Sequence, residues 1–248
     1  KIKLIENRIP AKIEFWDKKK YKVTRKIKTF FKPWKSYPRL KAETEIVFEN
    51  YNGGDFIDIG AYHGFYSFLL SPKAKKLDKF INCEPDMEAQ NDLNENLDIL
   101  GNVFKNIKFS IITDPISNGE DVEIIDTAYG HPVFLNPDNF PTENRLNKKI
   151  KSTTIDSLVK KLSLNPKFIK IDVEGAELNV LKGMTKTLNN FRPLIMIEKH
   201  PTLLPKNLTI DQINNFLVDQ NYILFKKISK EDVAINELWA HKGNLEQN

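Results

Sequence analysis

Apolar and polar positions change their rhythm several times along this chain. Between Val23 and Trp34 the apolar residues Val23, Ile27, Phe30, Phe31 and Trp34 fall at i, i+4, i+7, i+8 and i+11. Arg25, Lys26, Lys28, Lys32 and Lys35 take other positions, the pattern of a basic amphipathic helix that Pro33 would end or kink. From about residue 54 short apolar runs take over, each closing on a glycine or an acid. The runs at 55–59, 79–83, 107–113, 168–171 and 193–197 read as strands. Helical spacing separates them, beginning at Phe65, across Leu93, Leu97 and Leu100, and along Leu178, Leu181, Met184 and Leu188. Thr153 with Asp156, and Thr209 with Gln212, read as helix starts, and strand candidates at 222–228 and 233–240 close the chain. Strands alternating with helices predict an α/β fold with a mostly parallel, doubly wound sheet.

Residues 115–150 interrupt that alternation. Pro115, Pro132, Pro137 and Pro141 stand among Asn and Asp, around two short strand candidates at 122–125 and 133–135. This reads as an insertion over one end of the sheet, on the substrate side. The organisation expected is therefore an N-terminal arm at 1–41 and one domain at 42–248 that carries the insertion.

Charge sharpens the division. Residues 1–41 hold 15 Lys or Arg and three acids, a net of +12, whereas the other 207 residues hold 23 basic and 30 acidic side chains, a net of −7. A basic arm before an acidic body suggests an anionic partner, such as a membrane surface or, less favoured, nucleic acid. No apolar run approaches the roughly 20 residues that cross a bilayer. Cys83 is the one cysteine, which excludes an internal disulfide and fits a reducing compartment. The expected location is cytoplasmic, with the arm allowing a peripheral place at the membrane.

In an open parallel sheet, ligands bind beyond the carboxyl ends of the strands. Four such ends carry acids: Asp58, Glu84, Asp172 and Glu198. The first strand runs into Gly60-Ala61-Tyr62-His63-Gly64, a glycine turn before a helix. Glu84 follows Gly64 by 20 residues, where an acid at the second strand end binds the two hydroxyls of a ribose. No glycine occupies position 62, so the dinucleotide fingerprint is absent, and there is no phosphate-binding P-loop. A nucleoside cofactor is the reading that remains.

The segments 58–67, 83–85, 154–158, 169–177 with 180–183, and 193–200 together resemble the FkbM-type methyltransferases, in the expected order over roughly residues 43–240. The stretch from Ile169 to Gly183 is the most specific part. The resemblance implies a class I Rossmann-like methyltransferase fold, with a seven-stranded, mostly parallel sheet and helices on both faces. It also implies S-adenosylmethionine as methyl donor and O-methylation of a sugar, glycolipid or related metabolite. By the resemblance Asp58, Gly60, Ala61, Tyr62, His63 and Gly64 line the methionine side of the cofactor. Glu84 holds the ribose, and Thr113 or Asp114 lies near the adenine. Tyr62 stands where the family often has Asn.

Methyl transfer to a hydroxyl needs an aligned oxygen and a route for its proton. Asp172, Glu174, Glu198 and His200 are the candidates. His200 is the first choice for base, because an ordinary imidazole is mostly neutral at pH 7. Glu174 has a plainer alternative as the acid that starts the next helix. A divalent ion on Asp172, Glu198 and His200 is possible but not favoured, because no known metal-site spacing accompanies them. Two other functions compete: an RNA methyltransferase whose arm holds phosphates, and a non-catalytic scaffold of the same fold.

Overall fold

The computed structural model describes residues 38–125, 133–135, 145–230 and 234–245. The amphipathic arm expected over 23–34 lies outside them. Helix α1 (Pro38–Asn50) leads into β1 (Asp55–Ile59), α2 (Phe65–Leu70), β2 (Lys79–Cys83), α3 (Met87–Val103) and β3 (Lys108–Ile112). After the insertion come α4 (Ile155–Leu162), β7 (Pro166–Asp172), α5 (Glu177–Lys182), α6 (Thr185–Phe191) and β8 (Leu194–Lys199). Helix α7 (Ile210–Asp219), β9 (Tyr222–Lys230), β10 (Ile235–His241) and α8 (Lys242–Leu245) complete the chain.

The main sheet has seven strands in the order β3-β2-β1-β7-β8-β10-β9. The pairs β1–β2, β1–β7, β2–β3 and β7–β8 are parallel, and β10 runs antiparallel to both neighbours. The expected mostly parallel α/β sheet is therefore what forms. Strand order reverses between β1 and β7, which opens a crevice above their carboxyl ends.

Side-chain alternation along these strands builds two different layers. One face is aliphatic: Ile57, Ile59, Ile81, Ile169, Ile171, Ile195 and Ile197 pack with α4, α5 and α7. The other begins with an aromatic row in which Phe56 lies 5.3 Å from Phe80 and 6.1 Å from Phe168 between ring centres. Two residues further along each strand the same face turns polar: Asn82, Asp58 and Lys170 sit side by side in register, all buried. The site begins there.

Three local readings are corrected, and a fourth holds. The cap of α4 is Thr154, whose hydroxyl accepts the Ser157 amide. Asp156 instead accepts the amides of Lys186 and Thr187 and so ties α4 to α6. The helix expected through Leu188 breaks into α5 and α6 at Gly183, where a Cβ would sit 2.1 Å from the Ser117 carbonyl oxygen. Glu174 does not start a helix: it takes a left-handed φ of 53° in the turn, and the first-turn acid of α5 is Glu177. Thr209 and Gln212 do form the expected capping box.

The insertion contains a separate three-stranded sheet in the order β5-β4-β6, built from β4 (Asp121–Ile125), β5 (Val133–Leu135) and β6 (Arg145–Lys151). Its ends meet: the Ser117 amide bonds to the Thr153 carbonyl and the Thr153 amide to the Pro115 carbonyl, each at 2.9 Å. Among the described residues no helix is long and apolar enough to cross a membrane.

Candidate active site

The turn after β1 is fixed by both neighbouring strands. The amides of Gly60 and Ala61 donate to the Cys83 carbonyl at 3.0 Å. Gly60 has a φ of +79°, and a Cβ there would lie 1.8 Å from the Asp172 carbonyl oxygen. Both left-handed backbone and close approach require glycine. Tyr62 is partly exposed and its ring stacks 3.5 Å from that of His63, which is itself buried. The Nε2 of His63 faces the Asp92 carboxylate at 3.6 Å, so α3 braces this turn from behind.

Glu84 lies just past β2 and bridges two loops. Its Oε2 accepts the Tyr62 amide at 2.7 Å and its Oε1 the Asp86 amide at 2.9 Å. Burial pushes its carboxyl up to about 6 against the pull of those two amides. Each oxygen retains a lone-pair direction for an incoming hydroxyl. The Glu84 amide donates to the Ile112 carbonyl, which brings Thr113 and Asp114 to the adjoining strand end.

Asp58 is fully buried, and neither carboxylate oxygen has a hydrogen-bond partner. Lys170 approaches one oxygen at 3.9 Å but lies 3.0 Å from Asp172 Oδ2. Burial pushes the Asp58 carboxyl up to about 7, opposed by Lys170 and reinforced by Asp172 and Glu84. Burial alone would pull the Lys170 ammonium down. Asp172 and Asp58 more than offset that, with Glu43 and Glu198 adding, and hold it well above its ordinary value. The Lys170 head also lies 4.9 Å above the Tyr66 ring.

On the other side of Asp172, carboxylates converge on one imidazole. His200 Nδ1 pairs with Glu177 Oε1 at 2.8 Å, and the same oxygen accepts the Gly175 amide. His200 Nε2 faces Asp172 Oδ1 at 3.6 Å, Glu198 Oε1 at 3.7 Å and Glu174 Oε2 at 3.9 Å. Burial alone would lower the imidazole. The Glu177 hydrogen bond and the charges of Asp172, Glu177 and Glu174 outweigh it and raise His200 to about 9. This corrects the ground on which His200 was preferred as base: in this setting the ring is protonated, not neutral, at pH 7.

The structure thus gathers the expected residues into two adjoining parts, one at Asp58, the glycine turn and Glu84, the other at Asp172, Glu174, Glu198 and His200. Lys170 and Glu177 were missed as site residues. The signal for Lys170 was a lysine inside an otherwise apolar strand, two residues before an acid.

A sheet of this order, with acids at the ends of β1 and β2 beside the reversal of strand order, is the class I methyltransferase architecture. The chain belongs to the FkbM methyltransferase family, whose domain model matches residues 58–224. The hexuronic acid methyltransferase AglP of Haloferax volcanii is 28% identical over 154 residues, which are 61% of this chain and 58% of the relative. The chain therefore spans under two thirds of that curated relative's length. The FkbM methyltransferase structure from Methylobacillus flagellatus KT superposes with a TM-score of 0.50 at 19% identity, covering 76% of this chain and 44% of that one. At that identity the likeness is one of fold.

Proposed function

We propose that this chain is an S-adenosylmethionine-dependent O-methyltransferase acting on a hydroxyl of a sugar, glycolipid or related metabolite. The observation that carries the reading is Asp58, a fully buried carboxylate near the carboxyl end of β1 with both oxygens lacking a hydrogen-bond partner. Such a group is costly unless a cationic or hydrogen-bonding ligand meets it. The ammonium-bearing methionine end of the cofactor fits that need, and the Glu84 oxygens fit its ribose hydroxyls. The glycine turn from Gly60 to Gly64, with Ala61, Tyr62 and His63, would line the methionine side, and Thr113 or Asp114 the adenine side.

When bound, S-adenosylmethionine supplies a methyl group on a positively charged sulfur, ready for in-line displacement. The chain's own work is to align the acceptor and take up its proton. Asp172, Glu174, Glu198 and His200 stand together on the far side of Lys170 from Asp58, where an acceptor hydroxyl would be held. The acceptor's hydroxyl proton would pass to one of the carboxylates of Asp172, Glu174 and Glu198, since the His200 ring already carries a proton. Lys170, tied to both Asp172 and Asp58, positions the two halves against each other.

The similarity to the hexuronic acid methyltransferase of Haloferax volcanii supports a sugar acceptor. The test is transfer of labelled methyl from S-adenosylmethionine to hexuronic acids, neutral glycans and RNA offered in parallel. Label on the sugars supports the reading. Label on RNA alone would replace it with an RNA methyltransferase, and cofactor binding without transfer to any of them would favour the scaffold. The basic stretch at 1–41 is proposed as a contact for an anionic membrane surface. Deleting residues 1–37 should weaken binding to phosphatidylserine vesicles, and equal binding would remove that role.

A further inference from the structure

Around His200, side chains of metal-ligating chemistry come together from separate parts of the chain. Oxygens of Asp172 and Glu174 and a ring nitrogen of His200 all lie within 4.8 Å of one another. An octahedral ion with bonds of about 2.1 Å sets neighbouring ligands roughly 3 Å apart and opposite ones roughly 4.2 Å apart, so small side-chain movements would complete a shell. The sequence reading had set such an ion aside for lack of a familiar spacing. The ligands in fact come from a strand end, a left-handed turn and the next strand end, which no local spacing would reveal.

His200 provides an independent indication. Its side chain is more than nine-tenths buried, yet Nε2 meets three carboxylate oxygens at 3.6–3.9 Å, each beyond hydrogen-bonding distance. Its other nitrogen is committed to Glu177, which is itself fully buried. A ring nitrogen donating to a buried carboxylate fixes the tautomer and turns the opposite lone pair toward an ion, the arrangement that orients metal-bound histidines. Four carboxylates surround this ring, and a bound ion would take the place of the Nε2 proton as the positive charge among them.

We propose that Asp172, Glu174 and His200 Nε2, with Glu198 alongside, form a binding site for one divalent cation of the Mg²⁺ or Mn²⁺ class, oriented by Glu177. Carboxylates suit both ions, and the imidazole favours Mn²⁺. The site opens on the acceptor side of Asp172. An ion there would bind the acceptor oxygen directly and ease loss of its proton, a task that the protonated His200 ring does not perform. That last step rests on the methyltransferase reading; the cation site does not.

The test is calorimetric titration of Mn²⁺ and of Mg²⁺ into the full chain after chelator treatment. Manganese resonance spectra and S-adenosylmethionine affinity are recorded on the same samples. One Mn²⁺ per chain is expected, with affinity falling at least about tenfold in Glu174→Gln and in His200→Gln. Cofactor affinity in both variants should stay within a small factor of the parent, which shows that they fold. Absence of binding at millimolar Mn²⁺, or equal binding by folded variants, overturns the site. Mn²⁺ binding without cofactor binding would keep the cation site and remove the methyltransferase reading instead.

Discussion

His200 Nδ1 and Glu177 Oε1 meet at 2.8 Å in a pocket from which Glu177 is wholly excluded from solvent. The pair fixes which ring nitrogen faces the acidic cluster, so Glu177 is a positioning residue for everything that His200 does. Glu177→Gln keeps the volume but removes the charge. Turnover should fall by about 10- to 100-fold while S-adenosylmethionine affinity changes little. Initial-rate kinetics beside cofactor titration check this, and an unchanged rate would reduce Glu177 to a structural partner of the Gly175 amide.

Lys170→Met should destabilise the protein by about 3–5 kcal/mol, because it strands Asp58 and Asp172 without their shared buried cation. Urea unfolding measures the loss. Lys170→Met combined with Asp58→Asn should recover part of it, whereas a purely additive outcome would mean that the two side chains are not coupled.

Glu84→Ala should raise the Kd for S-adenosylmethionine by at least about tenfold if Glu84 holds the ribose as proposed, since even one charge-assisted hydrogen bond is worth about 1.5–3 kcal/mol. The same change releases the Tyr62 and Asp86 amides, so the melting temperature should drop as well. Cofactor titration well below that temperature separates the two effects.

How much of this was legible in the sequence follows from how far apart the interacting residues lie. Asp58, Glu84, Asp172 and Glu198 could be placed because each ends an apolar strand, and strand ends converge in a parallel sheet. Glu177 could not be placed: its partner is 23 residues away and the contact depends on how the turn through Glu174 and Gly175 coils. The break at Gly183 was hidden because Leu178, Leu181, Met184 and Leu188 keep helical spacing through it. Only the carbonyl of Ser117, from a distant loop, explains the small residue. Lys170 was visible as an anomaly, but its two carboxylate partners emerge only from strand register.

Stability and cofactor binding should respond to pH in opposite directions. The folded Asp58 carboxyl is raised from 3.8 to about 7, and Glu84 from 4.5 to about 6. The folded state therefore binds protons more tightly than the unfolded chain. The stabilisation is complete below the unfolded values and is lost as pH rises through the folded ones, between roughly pH 4 and 7. In the chelated protein His200, raised from 6.5 to about 9, extends the decline to about pH 9. Affinity for the cationic cofactor should instead climb toward pH 7 as Asp58 ionises. Melting and titration across pH check both slopes, and Asp58→Asn should flatten each below pH 7.

The insertion leaves and rejoins the main domain at one stitch, where Pro115 and Ser117 bond to Thr153 and Ile116 bridges the same residue. Its described strands β4, β5 and β6 form their own sheet and pair with no strand of the seven-stranded one. The donor site proposed at Asp58 and Glu84 lies on strands that this second sheet does not pair with. If the insertion shapes the acceptor pocket as proposed, a chimaera joined at residues 117 and 153 should keep cofactor affinity while changing which acceptor is methylated.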